Sequence, residues 1–477
     1  MFRLGSKRGG LSLIGMDIGR RGIRWAQLAR PGREAGSLLA GRWQLRRAFC
    51  WEWSSSPEQG AAGGDSGPGA AVPRSEKGRL ELARRIKQFL RQNEFQGRDV
   101  VVGLSSPEVE LHTLELPLGG NDGDERNMRQ AAHWEIERLV SFTEGSTESD
   151  FWLLPPSGSA NARGRGQGDS GQPTAIGVAA EKTVVSGVWD TCVAAGLTCR
   201  RLDAGLCALT RFGSWLRSLP AAEDRPGEGV RGPLPERPEG HSAQEVPDSF
   251  SRPSRELWGL LDLGDHQVRL VICLGDIPVL VRCFDTGGRR WVHRVSDALG
   301  LSFAAAEVHL RDHGIQASGR GSSGQATRGV RNQAPGEVGT TGGTTGEGFA
   351  VAGAPSAQLG GIIRNILREE LSALCGEIEQ SYRYALQCYP DHQVSELLLV
   401  GGGADLRNLD EYLKGQLGIE VCSAGKRLES TAMAAYCVAG KRYSTGALAC
   451  AIGLAIPPGP SGEVSAVRQK SERMVAS

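Results

Sequence analysis

The spacing of apolar and polar positions predicts two similar β-hairpins far apart in the chain. Residues 11–28 read LSLIGMDIGRRGIRWAQL and residues 257–275 read LWGLLDLGDHQVRLVICLG, each an apolar strand, a short turn and a return strand. The two segments align without gaps. Aligned pairs are Asp17 with Asp262, Gly19 with Gly264, and Arg24 with Arg269. A repeated hairpin predicts two similar halves that share a cleft.

The turn of each hairpin carries residues suited to a phosphate group. Glycine lets the backbone approach a ligand closely, because it has no Cβ. A carboxylate beside backbone N–H groups suits a phosphate and its Mg²⁺ ion. Aspartate and glycine are also ordinary turn residues, so one such turn would indicate little. The second copy makes the pattern more specific.

A third glycine motif follows late in the chain. Residues 396–406 read ELLLVGGGADL, a fully apolar strand running into Gly401, Gly402 and Gly403 and then a predicted helix. Backbone amides and a helix N-terminus at such a place can bind a nucleotide.

The remaining periodicity predicts alternating strands and helices. In the first half we expect strands at 42–53, 100–104, 109–116, 151–154 and 175–180, and helices at 80–92, 125–139, 184–195 and 202–219. In the second half we expect strands at 279–281 and 419–421, and helices at 291–299, 302–310, 362–386, 408–417 and 447–456. Segments rich in Gly, Pro and Ser interrupt this pattern and predict flexible loops.

Composition narrows the class of protein. The chain has 477 residues and a formal net charge of +1, so no global field directs it to nucleic acid. Its 11 cysteines show no Cys-x-x-Cys spacing, which favours reduced thiols over a disulfide scaffold or a metal cluster. No apolar run approaches the roughly 20 residues of a membrane helix. We therefore expect a cytoplasmic protein whose membrane contact would come only through a partner.

The order of the three glycine motifs resembles the actin-like ATPase superfamily. Four further segments resemble the PilM family of type IV pilus assembly proteins, which is related to FtsA: HWEIERLVSF at 133–142, AAGL at 194–197, EIEQS at 377–381 and ALACAIGLAI at 447–456. The resemblance implies an α/β, actin-like (ribonuclease H-like) fold of two duplicated lobes. It also implies a small α+β subdomain of the 1C type inserted in the first lobe.

The resemblance divides the first lobe into a core (1A) at residues 1–104 with a flexible loop at 54–75, an inserted subdomain at 105–200 with a flexible loop at 157–173, and a return to the core at 201–219. A disordered linker at 220–254 leads to the second lobe. That lobe consists of a core (2A) at 255–290 and 391–456 and a subdomain (2B) at 291–390 with a disordered insertion at 312–359, and a mobile tail follows at 457–477. Within the inserted subdomain, Trp134 and Phe142 are expected to pack in the core.

The resemblance also implies an ATP site with Mg²⁺. Its residues would be Asp17 and Asp262 for the metal; Gly19, Arg20, Arg21, Gly22 and Gly264 for the phosphates; Gly401, Gly402 and Gly403 for the adenosine; and Glu377 for the ribose. Relatives commonly read DIGSSS in the first turn, whereas this chain has Arg20-Arg21-Gly22. Long cations replace the hydroxyl donors there, and they either grip phosphate or block the pocket. We therefore expect ATP binding with slow or no hydrolysis, and no residue is assigned as catalytic.

The function implied is a cytoplasmic, nucleotide-dependent scaffold of type IV pilus assembly or of a related type II secretion system. Its expected partners are the N-terminal peptide of a PilN-like inner-membrane protein, held between the inserted subdomain and the first core, and proteins of the pilus motor and inner-membrane complex. Self-association is left open, and no nucleic acid is expected. The alternative is an FtsA-like polymerising cytoskeletal ATPase.

Overall fold

Two five-stranded sheets with the same strand order form the two halves of the molecule. The computed structural model describes residues 10–19, 21–30, 43–52, 73–116, 125–143, 145–156, 175–219, 256–316, 356–430 and 444–457. The first sheet has the order β3-β2-β1-β4-β8, and its strands are β1 (Leu11–Gly19), β2 (Gly22–Ala29), β3 (Gln44–Glu52), β4 (Asp99–Leu104) and β8 (Thr198–Ala204). The second has the order β11-β10-β9-β12-β13, with β9 (Glu256–Leu263), β10 (Val268–Leu274), β11 (Ile277–Phe284), β12 (Gln393–Val400) and β13 (Glu420–Ser423).

The pairing directions of the two sheets are also the same. The first three strands of each half form an antiparallel meander, and the last two join it in parallel. Within the hairpins, Asp17 lies opposite Arg24 and Asp262 lies opposite Arg269. The predicted fold class, two duplicated α/β lobes with the two hairpins as equivalent elements, is confirmed.

A three-stranded antiparallel sheet interrupts the first lobe between β4 and β8. Its strands, in the order β5-β7-β6, are β5 (Val109–Leu114), β6 (Thr147–Leu153) and β7 (Ala175–Glu181). Helix α2 (Glu125–Leu139) packs Ile136 onto this sheet at Gly177, where a Cβ atom would lie 2.7 Å from the Ile136 side chain. The small core of this unit consists of Leu114, Leu116, Ala132, Ile136, Ala175 and Ala179.

Helices cover the two large sheets. In the first half they are α1 (Glu76–Gln92), α3 (Lys182–Ala194) and α4 (Gly205–Arg217). In the second half they are α5 (Gly288–Leu299), α6 (Phe303–His313), α7 (Ser356–Ile366), α8 (Arg368–Cys388), α9 (Leu409–Leu417), α10 (Ala424–Glu429) and α11 (Thr445–Ala455).

The helix predicted at 202–219 is wrong in its first residues. Thr198 to Ala204 form strand β8, which pairs in parallel with β4, and the helix begins only at Gly205. The subdomain boundary placed at residue 200 therefore falls inside a strand of the first-lobe sheet. Two arginines in Thr-Cys-Arg-Arg-Leu-Asp-Ala hid the alternation of buried and accessible positions on which a strand prediction depends.

Other boundaries also shift. The single helix predicted at 362–386 is two helices, α7 and α8, separated at Leu367, and the short helix α10 was not predicted. The insertion placed at 312–359 begins inside α6 and ends inside α7, and Ser75 of the predicted loop 54–75 caps α1 through the Gly78 N–H. Residues 54–72 and 317–355, the loops at 157–173 and 220–254 and residues 458–477 lie outside the described residues.

Helices α4 and α11 form a layer between the two large sheets. A Cβ on Gly453 would lie 1.8 Å from the carbonyl oxygen of Ala208, and one on Gly15 would lie 2.0 Å from that of Ala451. Backbones can approach this closely only where side chains are absent. One apolar core runs across this layer and includes Phe212 of α4 and Trp258 of β9.

The inserted subdomain also touches the second half. The indole N–H of Trp152 in β6 donates to the carbonyl oxygen of Pro278 in β11 at 2.8 Å. The hydroxyl of Tyr389, which follows α8, donates to the carbonyl oxygen of Pro155 at 3.3 Å. Among the residues that the structure describes, no helix has the length and apolar character needed to cross a membrane.

A side chain at Gly453 should break the helix layer. We expect Gly453→Val to lower the free energy of unfolding by at least about 3 kcal/mol, because the new methyl groups meet the backbone of α4. The control is Gly376→Ala in α8, where no heavy atom lies within 4 Å of the Cβ position. The free energy of unfolding of that variant should rise by about 1 kcal/mol, because alanine favours the helix more than glycine does. Urea denaturation measures both, and equal effects would contradict the close helix contact.

Asp150 in β6 should make stability fall as pH rises. Burial raises the pKa of Asp150 to about 6, although the Phe151 N–H and Arg129 oppose the rise. The folded protein thus holds this proton more tightly than the unfolded chain, whose aspartates titrate near about 4. Asp150→Asn should be more stable than wild type by about 1–3 kcal/mol at pH 7 and equal to it near pH 4. Denaturation at both pH values checks the sign; a less stable variant at pH 7 would exclude the interpretation.

Candidate functional site

Each hairpin places a buried aspartate against an arginine on its return strand. The Arg24 Nη1 atom lies 3.3 Å from Asp17 Oδ2. The Arg269 Nε atom donates to Asp262 Oδ2 at 2.9 Å, and its Nη2 bonds to the same oxygen. Because aspartate and arginine are direct cross-strand neighbours in both hairpins, the same register creates both ion pairs.

The two ion pairs belong to one electrostatic cluster. Burial by itself lowers the pKa of Arg24, but the carboxylates of Asp17 and Asp262 together with neighbouring thiols outweigh it, so the net pKa is raised. The pKa of Arg269 is raised against burial in the same way by Asp262, Cys450 and Asp17. The carboxylates of both halves therefore act on both arginines across the junction of the halves. Alignment of the two hairpin sequences pairs Arg24 with Arg269 but gave neither arginine a role. The signal that could have indicated one is that each arginine follows its aspartate by seven residues.

The glycines of the first turn make room for neighbouring groups. A Cβ on Gly19 would lie 3.0 Å from the Arg24 Nη1 atom, and one on Gly22 would lie 1.9 Å from the Trp51 carbonyl oxygen. Gly19 thus accommodates the guanidinium beside Asp17, and Gly22 lets the hairpin pack on β3. Their contact with phosphate stays a prediction.

Arg21 crosses from the first turn to the second half. Its Nε atom lies 3.3 Å from Asp265 Oδ1 in the second turn, and its Nη1 atom lies 3.1 Å from Glu307 Oε1 on α6. Arg21 and Asp265 therefore join the first turn to the second across the junction of the halves. Arg20 lies outside the described residues.

The second turn uses its own amide. The Gly264 N–H bonds to the carbonyl oxygens of Asp262 and Gln267, both at 3.1 Å. The hairpin itself therefore uses this donor in the present structure, and the contact of Gly264 with phosphate stays a prediction. Beside it, His266 Nε2 lies 3.3 Å from Asp265 Oδ2.

The triple-glycine turn also donates backbone hydrogen bonds to other parts of the protein. The Gly401 N–H donates to the Gly446 carbonyl at 2.9 Å, and the Gly403 N–H donates to the Leu263 carbonyl at 3.0 Å. Gly401 has a φ of +86° and approaches Asp262 so closely that a Cβ would lie 2.5 Å from Oδ1. Only Gly402 has open space at its Cβ position among these three glycines.

Helix α9, predicted at 408–417, begins at Leu409. Residues 404–408 form turns between Gly403 and the N-terminus of this helix. Glu377, the predicted ribose ligand, lies on α8 with its side chain 47% exposed and 4.0 Å from Arg282 of β11. Its contact with a ribose, and the packing of the glycine turn under an adenosine, stay predictions.

The donor set does not fit a Mg²⁺ ion held by both aspartates. Each carboxylate already has a guanidinium partner, and Mg²⁺ would add two positive charges beside two others. Within the described ranges, no group of three or more His, Cys, Asp or Glu side chains is placed to hold a metal ion. The two aspartates and the two arginines together carry no net charge.

Comparison with known proteins bears on the fold. No protein-family model matches the chain, and no curated protein sequence does. A solved structure of the PilM-PilN type IV pilus biogenesis complex is 20% identical, with a TM-score of 0.56 over 93% of this chain and 97% of that one. MreB 5 of Spiroplasma citri bound to AMPPNP is 11% identical over 89% and 95% of the two chains, with a TM-score of 0.39. The cytoplasmic domain of EpsL of Vibrio cholerae is 14% identical over 61% and 77%, with a TM-score of 0.28.

The chain has the actin-like fold, with the duplicated turns in equivalent places of the two lobes. The PilM-PilN match extends this likeness over nearly the whole of both chains, and at its level of identity it establishes the shared fold. The resemblance seen in the sequence is confirmed at that level. The two weaker likenesses support no conclusion.

Removing one charge of the Asp262–Arg269 pair should lower the free energy of unfolding far more than removing both charges. Asp262→Asn leaves a buried guanidinium without its counter-charge and should lower the free energy of unfolding by about 3–5 kcal/mol. The double variant Asp262→Asn and Arg269→Gln removes both charges, and we expect it to lose less than about half of that. Chemical denaturation of both variants measures the coupling; additive losses would show that the pair is not a buried ion pair.

Proposed function

We propose that this protein is a nucleotide-responsive scaffold of type IV pilus assembly or of a related secretion system. The observation that supports it is the fold match to a chain of the PilM-PilN complex across 93% of this chain, a span that includes the inserted subdomain. In this proposal the protein binds the N-terminal peptide of a PilN-like inner-membrane protein. Contacts with pilus motor proteins and self-association belong to the same proposal.

An exposed tryptophan supports a protein-binding role for the inserted subdomain. Trp134 on α2 is 63% exposed, so its expected packing in the core is wrong; α2 directs Ile136 to the sheet instead. Phe142 does pack partly buried against the subdomain core, as predicted. Because tryptophan is enriched at binding hot spots, we assign Trp134 to the peptide-docking surface.

The contacts between the subdomain and the second half support a response to nucleotide. Trp152 and Tyr389 link β6 and the segment after it to the second half, whereas the candidate nucleotide cleft lies between the halves. Closing the halves around a ligand would strain or move these links. A ligand that binds the closed form more tightly would then shift the peptide-binding surface.

Hydrolysis is not required for this role. Arg21 is engaged with Asp265 and Glu307, and the Gly264 amide is engaged in its own turn. We therefore propose that ATP binds and is hydrolysed slowly or not at all. No contact among the described residues favours the polymerising ATPase, which would show itself as ATP-dependent pelleting of the protein alone.

Peptide binding tests the proposal. The fluorescence anisotropy of a labelled N-terminal peptide of the PilN-type protein from the same organism should rise as wild-type protein is added. Trp134→Ala should weaken binding at least about tenfold, since hot-spot tryptophans contribute at least about 1.4 kcal/mol. The matched control is Val308→Ala, which alters an exposed apolar residue on α6 of the second half.

Three outcomes are informative. Binding by wild type and by Val308→Ala, with loss in Trp134→Ala, supports both the scaffold and its docking surface. Equal binding by all three proteins moves the docking site away from Trp134. Failure of wild type to bind the peptide overturns the scaffold proposal.

A further inference from the structure

Two cysteine thiols lie in contact where the chain returns from the inserted subdomain to the first lobe. Cys192 is in the last turn of α3, and Cys199 is the second residue of β8. The two thiols are hydrogen-bonded to each other. Both lie in the apolar core, and neither forms a disulfide in this structure. The pair is therefore a dithiol whose sulfur atoms are already adjacent.

A tight turn keeps the two sulfur atoms together. The Leu197 N–H donates to the carbonyl oxygen of Cys192 at 2.9 Å, and the Gly196 N–H donates to that of Val193 at 2.9 Å. Gly196 has a φ of +75°, which glycine adopts without strain where a helix ends. Because these bonds reverse the chain directly after α3, Cys199 returns beside Cys192.

The two thiols are chemically unequal. The hydrogen bond from Cys192 lowers the pKa of Cys199 despite burial, whereas the same bond and burial both raise the pKa of Cys192. The thiolate is the form of cysteine that attacks an oxidant. Cys199 therefore has the character of an attacking thiol, and Cys192 has that of the thiol that resolves the first product.

The pair lies directly beneath the protein surface. Val193 is 62% exposed, and Ala194, Gly196 and Thr198 are exposed as well. The turn that covers the two thiols thus has solvent on its outer side. A small oxidant needs only a local opening of this turn, which two backbone hydrogen bonds hold closed, to reach the sulfur atoms.

We propose that Cys192 and Cys199 are a reversible redox site, which hydrogen peroxide converts to a disulfide that ties the end of α3 to the first-lobe sheet. The Cys199 sulfur attacks one peroxide oxygen, the O–O bond breaks, and the departing hydroxide takes the thiol proton to leave as water. The Cys192 sulfur then displaces a second water from the sulfenic acid formed at Cys199. In total the two thiols lose two electrons and two protons, and the peroxide is reduced to water. A thiol reductant reverses the change.

Mass spectrometry of the full chain tests the site directly, because trypsin releases both cysteines in one peptide, residues 183–200. Wild type is treated with hydrogen peroxide, and the remaining thiols are then alkylated under denaturing conditions. We expect this peptide to escape alkylation and to be lighter than the dithiol by two hydrogen atoms. A thiol reductant added before alkylation should restore both thiols.

The exposed thiol of Cys283 is the control for solvent access. Its oxidation or alkylation is read from a separate peptide of the same digest. If access alone governed the reaction, Cys283 would be oxidised while both cysteines of peptide 183–200 were alkylated. That result would overturn the inference, as would any digest in which this peptide keeps both thiols after peroxide treatment.

Two serine variants test the order of attack. Cys192→Ser keeps a hydroxyl donor beside Cys199, so peroxide should leave a sulfenic acid at Cys199 that dimedone labels. Cys199→Ser leaves only the thiol with the raised pKa, and we expect labelling of Cys192 to be at least about tenfold lower. Equal labelling would overturn the role of Cys199 as the attacking thiol. Thermal melts establish that both variants are folded, and the wild-type digest decides the disulfide without them.

Discussion

The contact between α4 and α11 is the constraint on which the rest of this structure depends. At Gly453 the backbone of α11 contacts the carbonyl group of Ala208, and the same helix contacts β1 at Gly15. No side chain separates these backbones, so the two sheets share one apolar core with Phe212 and Trp258 on opposite sides of the junction. Such short contacts cannot slide far, because any displacement either opens a void or creates a clash.

This layer decides where the two hairpins meet. Duplication gives each half the same aspartate–arginine register, but only the packing of both sheets on α4 and α11 brings the two pairs into one cluster. At that point the field of each carboxylate reaches both guanidiniums, and the pKa of each arginine rises despite burial. Arg21 then joins the two turns through its ion pair with Asp265. The site is therefore a property of the assembled halves, although each component is local.

The same cluster separates this protein from a metal-centred view of the actin-like cleft. Carboxylates that are free can share a divalent cation, whereas carboxylates already paired with arginine cannot do so without losing buried ion pairs. The glycines of the three turns serve chiefly to let these groups and the neighbouring backbone approach each other.

The sequence by itself determined the duplicated hairpins, the strand and helix order and the three glycine turns, because apolar periodicity and turn residues are local signals. The sequence did not predict β8, because the alternation of apolar and polar residues in this strand is weak and parallel pairing with β4 stabilises it. It also supplied Arg24 and Arg269 without a role, and it assigned the Gly264 amide to phosphate and the triple glycine to adenosine. Only the tertiary structure decided that the amides of Gly264, Gly401 and Gly403 bond to carbonyls of the protein and that the arginines pair with the carboxylates. Which partner satisfies a polar group depends on what packing brings within about 3 Å, and no local pattern records that.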